Sequence, residues 1–243
     1  MVVDVHTPPV VERRKLFLGL DLGQASDAAC LGGMLRVTSP GPVDPATFAR
    51  SEFVRFDFSS LERFPTGTTY PDIVRRCAVV LEGLTERWPD RDVELLVDKT
   101  GVGAGVVDIL RELRIWRVQR GADRGSVTLV PVTLTSGDNV NVKPAGFCVP
   151  KSDVVASAVV LFQSGLLRIS ESIADRELLI RELVNFRQFV GKKGGGSLSF
   201  SNDGKIAKHD DTVTVLTFCA WGAQRDRRPG GYLPGVQPLP NSY

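Results

Sequence analysis

After a polar lead-in the chain opens on Leu16-Phe17-Leu18-Gly19-Leu20-Asp21-Leu22, an apolar run broken by one carboxylate near its end. Such a run reads as a strand buried on both faces, which places a strand over 15–23. Two more strands are expected over 28–37 and 51–58. In the second, Phe53, Arg55 and Asp57 alternate with Val54, Phe56 and Phe58, the period of a pleated strand. The segment SPGPVDPATFA between them is dense in turn residues. Over 70–88, Ile73, Cys77, Val80, Leu81, Leu84 and Trp88 share one helical stripe, with Pro71 in the first turn and Pro89 as the stop. The run DVELLVD over 92–98 follows as a second buried strand that ends on a carboxylate, Asp98. A helical crossover between the two buried strands favours parallel pairing of right-handed topology.

Beyond Asp98 a glycine turn, TGVGAG, leads into a helix at VVDILREL, and a strand is expected over 127–134. Helices are expected over 150–167, with Ser152 or Asp153 near the start, and over 174–186. Residues 187–208 contain GKKGGGS and SNDGK and read as a flexible hairpin. The apolar run over 209–221 exceeds a typical strand and reads as a helix. The Pro/Gly-rich remainder is expected to be disordered or bound to a partner. With no internal repeat and no break in pattern, the division is a lead-in (1–14), one domain (15–224) and a tail (225–243). The expected fold is α/β: a mixed sheet, its early strands an antiparallel meander and its later ones parallel, flanked by helices.

Composition narrows the setting. A hydrophobic content of 42% with 24% charged residues is that of a soluble globular protein, and 243 residues suffice for one substantial α/β core. Cys30, Cys77, Cys148 and Cys219 lie far apart with no CxxC pair, which argues against a disulfide framework or a zinc site. No apolar stretch reaches the ~18 residues of a membrane span, and the lead-in lacks the apolar centre of a signal peptide. A reducing cytoplasm is the expected location. The net charge of +2 does not by itself announce a nucleic-acid binder, so charge distribution has to make that case.

The chemistry lies in the acids. An ionised carboxylate in a core strand costs several kcal/mol unless it is paired or bound to a cation. Asp21 and Asp98 are two such residues, and His209-Asp210-Asp211 opens the last apolar segment. Singly, each has an ordinary explanation: turn former, N-cap, or first-turn acid favoured by the helix dipole. Together they form a set of hard oxygen donors suited to Mg²⁺ or Mn²⁺. If the two buried strands are parallel neighbours, Asp21 and Asp98 meet at their carboxyl ends, where open α/β sheets gather ligands. Two ions ~4 Å apart at such a site activate a water and stabilise a leaving oxygen. Asp27 stands as an accessory acid or a plain loop residue, and His209 as a packing or capping neighbour. Helical periodicity does not choose between Asp210 and Asp211, because both sides of their helix are apolar.

Other sites are poorly supplied. The glycines at 101, 103 and 105 could admit a phosphate, but the chain has no G-x-x-x-x-G-K-[ST] loop and no G-x-G-x-x-G fingerprint. With His6 and His209 as the two histidines, a Ser-His-Asp hydrolase is poorly supported. Arginines cluster at 111, 114, 117, 120 and 124 and again at 225, 227 and 228, where a solvated face is the default. Lys99 beside Asp98, and Lys192 and Lys193 in the hairpin, are candidates for contact with a phosphate backbone.

Five segments in order, LGLDLGQASDAA, LLVDKTGVGAGVVDIL, VPVTLTSGD with VPKSDVVASAVVLFQSGLLRI, ELVNF, and KHDDTVTVLTFCAW, resemble the nuclease domain of tailed-phage large terminase subunits. That domain has a ribonuclease H-like fold related to RuvC resolvases. The resemblance spans roughly residues 15–222. It implies metal binding by Asp21, Asp98 and the Asp210-Asp211 pair, with Asp27 accessory, and Mg²⁺- or Mn²⁺-dependent cutting of double-stranded DNA during genome packaging. In that reading Asp21 bridges the ions, Asp98 holds one, and Asp211 or Asp210 completes the set. A packaging ATPase, portal or small terminase subunit would be partners, in a host cytoplasm. The chain departs from the family's large subunits in lacking a Walker loop and room for a motor domain. Two rivals stand beside this reading: an ATP-binding protein of the actin and sugar-kinase type, which also begins on a strand ending in DLG, and a non-catalytic assembly module.

Overall fold

Strand β1 (Arg13–Asp21) lies in the interior of an eight-stranded sheet and is hydrogen-bonded on both edges. The computed structural model describes residues 12–23, 27–116, 124–190, 198–202 and 210–225, without the side chains of 187–190 and 198–202. The other strands of the sheet are β2 (Cys30–Val43), β3 (Arg50–Arg63), β4 (Asp92–Asp98), β5 (Val127–Thr135), β6 (Asn141–Lys143), β7 (Gly146–Pro150) and β8 (Leu167–Ile169). Their spatial order is β6-β7-β5-β4-β1-β2-β3-β8. Strand β2 is antiparallel to both β1 and β3, whereas β4, β5 and β7 continue parallel on the other side. The fold is therefore α/β, with an antiparallel meander joined to parallel strands, and it is consistent with a ribonuclease H-like arrangement.

Helices cover both faces because the central strands bury both. On β1, Leu16, Leu18 and Leu20 join α1 (Tyr70–Arg87) and α2 (Gly103–Arg111) in one apolar layer. Phe17, from the alternate set, joins α3 (Lys151–Gln163) and α5 (Asp211–Arg225) in the other. Helix α4 (Arg176–Asn185) packs on α5. Gly19 lets α5 settle on the sheet: a Cβ there would stand 2.7 Å from the Val215 carbonyl oxygen. By the two-residue period of a strand, Asp21 shares the α5 face with Phe17 and Gly19, as Asp98 does with Leu96.

Several expected boundaries move. Strands β2 and β3 run well past 37 and 58. Beyond the Arg13↔Thr38 pair β1 has ended, so β2 and β3 continue as a two-stranded ribbon through Pro40 and Pro42, with a register shift between Pro40 and Val43. Proline is tolerated there because its missing N–H has no ladder partner to lose. Helix α3 stops at Gln163, short of 167, in a Schellman motif: Gly165 has φ +66°, its N–H donates to the Phe162 carbonyl, and the Leu166 N–H donates to that of Leu161. The released chain forms β8, parallel to β3. The hairpin of β6 and β7 is an addition to the expected elements. Where a hairpin is expected over 187–208, β9 (Phe186–Val190) and β10 (Leu198–Asn202) pair antiparallel, β9 starting at the residue where the preceding helix is expected to end. Strand β1 begins at Arg13 and α5 ends at Arg225, so both expected domain edges lie inside regular elements.

Candidate functional site

The parallel register pairs Leu20 with Val97, so the next residues, Asp21 and Asp98, stand side by side at the carboxyl ends of β1 and β4. Helix α5 starts over this edge: its first residue, Asp211, is 8% exposed, and Asp210 precedes it. The Asp210 carbonyl accepts the Thr214 N–H (2.9 Å) and Oγ1–H (3.0 Å), which makes Asp210 the lead-in to the first turn. Both carboxylates sit at a helix N-terminus, where the macrodipole favours negative charge.

The acids act on one another. Burial pushes the Asp21 carboxyl well above the usual carboxylate range, and the charges of Asp98, Asp211 and Asp210 push it further, in that order. Burial also raises Asp98, against hydrogen bonds from Thr100, whose N–H donates to Asp98 Oδ1 at 2.7 Å. The glycine turn after β4 serves this packing. Gly101 has φ +60°, and a Cβ on Gly103 would stand 1.9 Å from the Asp98 carbonyl oxygen. Close approach of α2 to the strand end thus accounts for Gly103 without a phosphate.

Two residues of the site escaped the sequence reading. Lys151, first residue of α3, has its Nζ 3.8 Å from Asp210 Oδ2, and its charge lowers both Asp21 and Asp98. The signal was available, since a lysine in the first turn opposes the helix dipole. Glu182 on α4 is 2% exposed and accepts hydrogen bonds from Thr212. It falls three residues after the buried Leu179, on the apolar side of its helix.

Of the remaining expectations, Lys99 is half-buried, its backbone N–H donating to the Val132 carbonyl. Asp27 is half-buried where the chain enters β2, its carbonyl oxygen against Gly23. Lys192, Lys193, His209, Arg117, Arg120, Arg227 and Arg228 lie outside the described residues. Arg111 pairs locally with Asp108 at 3.0 Å, as a solvated face would. Arg225 belongs to α5 and packs inward: it bonds Glu94 at 2.5 Å and lies over the rings of Phe147 and Trp221.

The donor set is all carboxylate, which fits a hard divalent cation. Among the described residues, no group of three or more His, Cys, Asp or Glu side chains is gathered closely enough to hold a metal ion by itself. Mg²⁺ tolerates that, because it keeps several waters and is held by one or two carboxylates plus substrate phosphates. Also among the described residues, no helix is long and apolar enough to cross a membrane. No known family model matches the chain, and no curated protein shows significant similarity to it.

Proposed function

We propose that this chain is a divalent-metal-dependent endonuclease that cuts double-stranded DNA, with Asp21, Asp98, Asp211 and Asp210 as its acidic centre. The observation that carries the reading is geometric: acids from three elements, Asp21 of β1, Asp98 of β4 and Asp211 at the start of α5, converge on one sheet edge, where burial and then the charges of its neighbours raise the Asp21 carboxyl. Scaffold residues have no reason to converge in this way, because uncompensated buried charge destabilises a fold.

Alone, Asp21 resists losing its proton; positive charge brought to the edge favours the carboxylate and makes it a ligand. Asp98, steadied by the Thr100 N–H, and Asp211, at the start of α5, would close on the same cation from the other two elements as it draws the acids together, with waters and a substrate phosphate completing its shell. When bound, Mg²⁺ or Mn²⁺ would supply Lewis acidity toward a phosphodiester and lower the pKa of an attacking water. Lys151, its Nζ 3.8 Å from Asp210 Oδ2 and partly exposed, is a candidate to meet a DNA phosphate at this edge. Lys99, Lys192 and Lys193 are further candidates for backbone contact, and Asp27 for support of the first strand. The terminase-like order of motifs favours a role in phage genome packaging, with the ATPase supplied by another domain or chain.

Plasmid cleavage with Mg²⁺, Mn²⁺ or EDTA tests the reading. The native chain is expected to cut only with metal, and Asp21→Asn and Asp98→Asn to lose cutting at least a hundredfold. Full activity in either variant, or no cutting with any metal, overturns it. Metal uptake without cleavage would favour the assembly module, and ATP binding would favour the actin-like rival.

A further inference from the structure

We infer that Glu182 is a positioning residue for the acidic centre, holding the start of α5 so that Asp211 faces Asp21. The inference rests on the endonuclease reading of that centre.

The first N–H groups of any helix lack partners within the helix and need an acceptor from elsewhere. A side chain just before the helix ordinarily supplies it. In α5 the acceptor comes from another helix. Glu182 Oε2 accepts the Thr212 N–H at 3.1 Å and the Thr212 Oγ1–H at 2.5 Å. The Thr212 N–H belongs to the peptide plane that begins at the Asp211 carbonyl carbon. A bond to it fixes where the Asp211 backbone sits and how that first turn is rotated.

Glu182 is 2% exposed and Thr212 fully buried, so water does not replace the interaction. Burying a carboxylate to do what a local serine or threonine could do is costly. Its effect is to tie α4 to α5 at the residue next to a proposed ligand. Burial raises the thiol of Cys30, which pairs opposite Asp21, and the charges of Asp211, Asp21 and, least, Glu182 add to it.

A positioning role and a ligand role separate on substitution. Glutamine keeps an oxygen that can accept both Thr212 donors but is a poor ligand for a hard cation; alanine removes both functions. Mn²⁺ affinity by calorimetry on the full chain, with the melting temperature in EDTA as a folding control, tests this. Glu182→Ala is expected to weaken Mn²⁺ binding about tenfold or more, and Glu182→Gln to stay within about threefold of the native chain. Native-like affinity in Glu182→Ala would reduce the residue to a structural role and overturn the inference. So would equal loss in both variants, which would make Glu182 a ligand. If Glu182→Ala does not fold, Thr212→Val carries the test: loss of the hydroxyl arm should weaken Mn²⁺ about fivefold, and affinity within about threefold of the native chain overturns the inference. A native chain that takes up no Mn²⁺ removes the acidic-centre reading itself, and the inference falls with it.

Discussion

Asp21 ends a strand and follows Phe17 and Gly19 on the same face, and burial with three acidic neighbours raises its carboxyl. An acid whose folded value is raised binds more protons folded than unfolded. In the window from about pH 4, the ordinary carboxylate value, up to the raised value, stability must therefore fall as pH rises. Removing the charge removes that loss. Asp21→Asn should accordingly melt higher than the native chain in EDTA, by about 3 °C near pH 7.5. The gap should shrink toward pH 4, where both forms carry a neutral group. The same variant should lose any rise in melting temperature that Mn²⁺ gives the native chain. Scanning calorimetry at the two pH values, with and without Mn²⁺, reads all three effects. A lower melting temperature for Asp21→Asn in EDTA at pH 7.5 would mean that the charge is compensated within the protein.

Helix α5 is anchored differently at its two ends, acids and Glu182 at the start and a cationic clasp at the finish. There Glu94, 7% exposed, accepts from Lys15 at 2.8 Å and from Arg225 at 2.5 Å, joining β1, β4 and α5. Removing one partner of a buried pair leaves uncompensated charge. Glu94→Ala removes the carboxylate that two cations share, whereas Lys15→Met leaves the Arg225–Glu94 bond intact. Urea unfolding should therefore show a loss of about 3 kcal/mol for Glu94→Ala and clearly less for Lys15→Met; equal losses would deny the shared carboxylate. This clasp was illegible in the sequence. Glu94 sits in an apolar run like Asp21 and Asp98, yet local pattern cannot tell a carboxylate met by cations 79 and 131 residues away from one left among acids. The central strands were readable because both faces are buried and their runs are continuous. Helix α1 was readable because its stripe, proline start and proline stop agree. The extent of β2 was not, since Pro40, Gly41 and Pro42 signal a turn, yet the strand continues because β3 pairs with Pro40 and Val43 on either side of an irregularity beyond the end of β1. The end of α3 was marked by Gly165, a signal present in the sequence but overrun by the apolar residues that follow it. That Asp211 lies deeper than Asp210 was illegible, because nearly every residue of that helix is buried and no polar face marks its register.

At the scale of the whole molecule, the sheet separates two apolar layers, and the cysteines sample both. Cys30 and Cys219 lie in the layer under α5, Cys77 in the layer under α1, and Cys148 on β7 is partly exposed. Burial pushes the Cys77 thiol up to about 12 and raises Cys30 and Cys219 as well, the charges of Asp211 and Asp21 adding to the effect at Cys30. Reaction needs an accessible thiolate, so three of these thiols must wait for the structure to open. In the native chain at pH 8, iodoacetamide followed by peptide mass spectrometry should find Cys148 modified first. Cys30, Cys77 and Cys219 should follow only at the rate of local or global opening; in urea all four should react together. Cys30 carries further information, because it pairs across from Asp21 in register. A cation that draws the acids together would suppress the openings that expose Cys30 and leave those exposing Cys77, on the opposite face, nearly unchanged. Selective slowing of Cys30 by Mn²⁺ is thus the expected result. Equal slowing at both thiols would mean that metal stabilises the fold as a whole, and no slowing at either would leave the acidic edge without a cation.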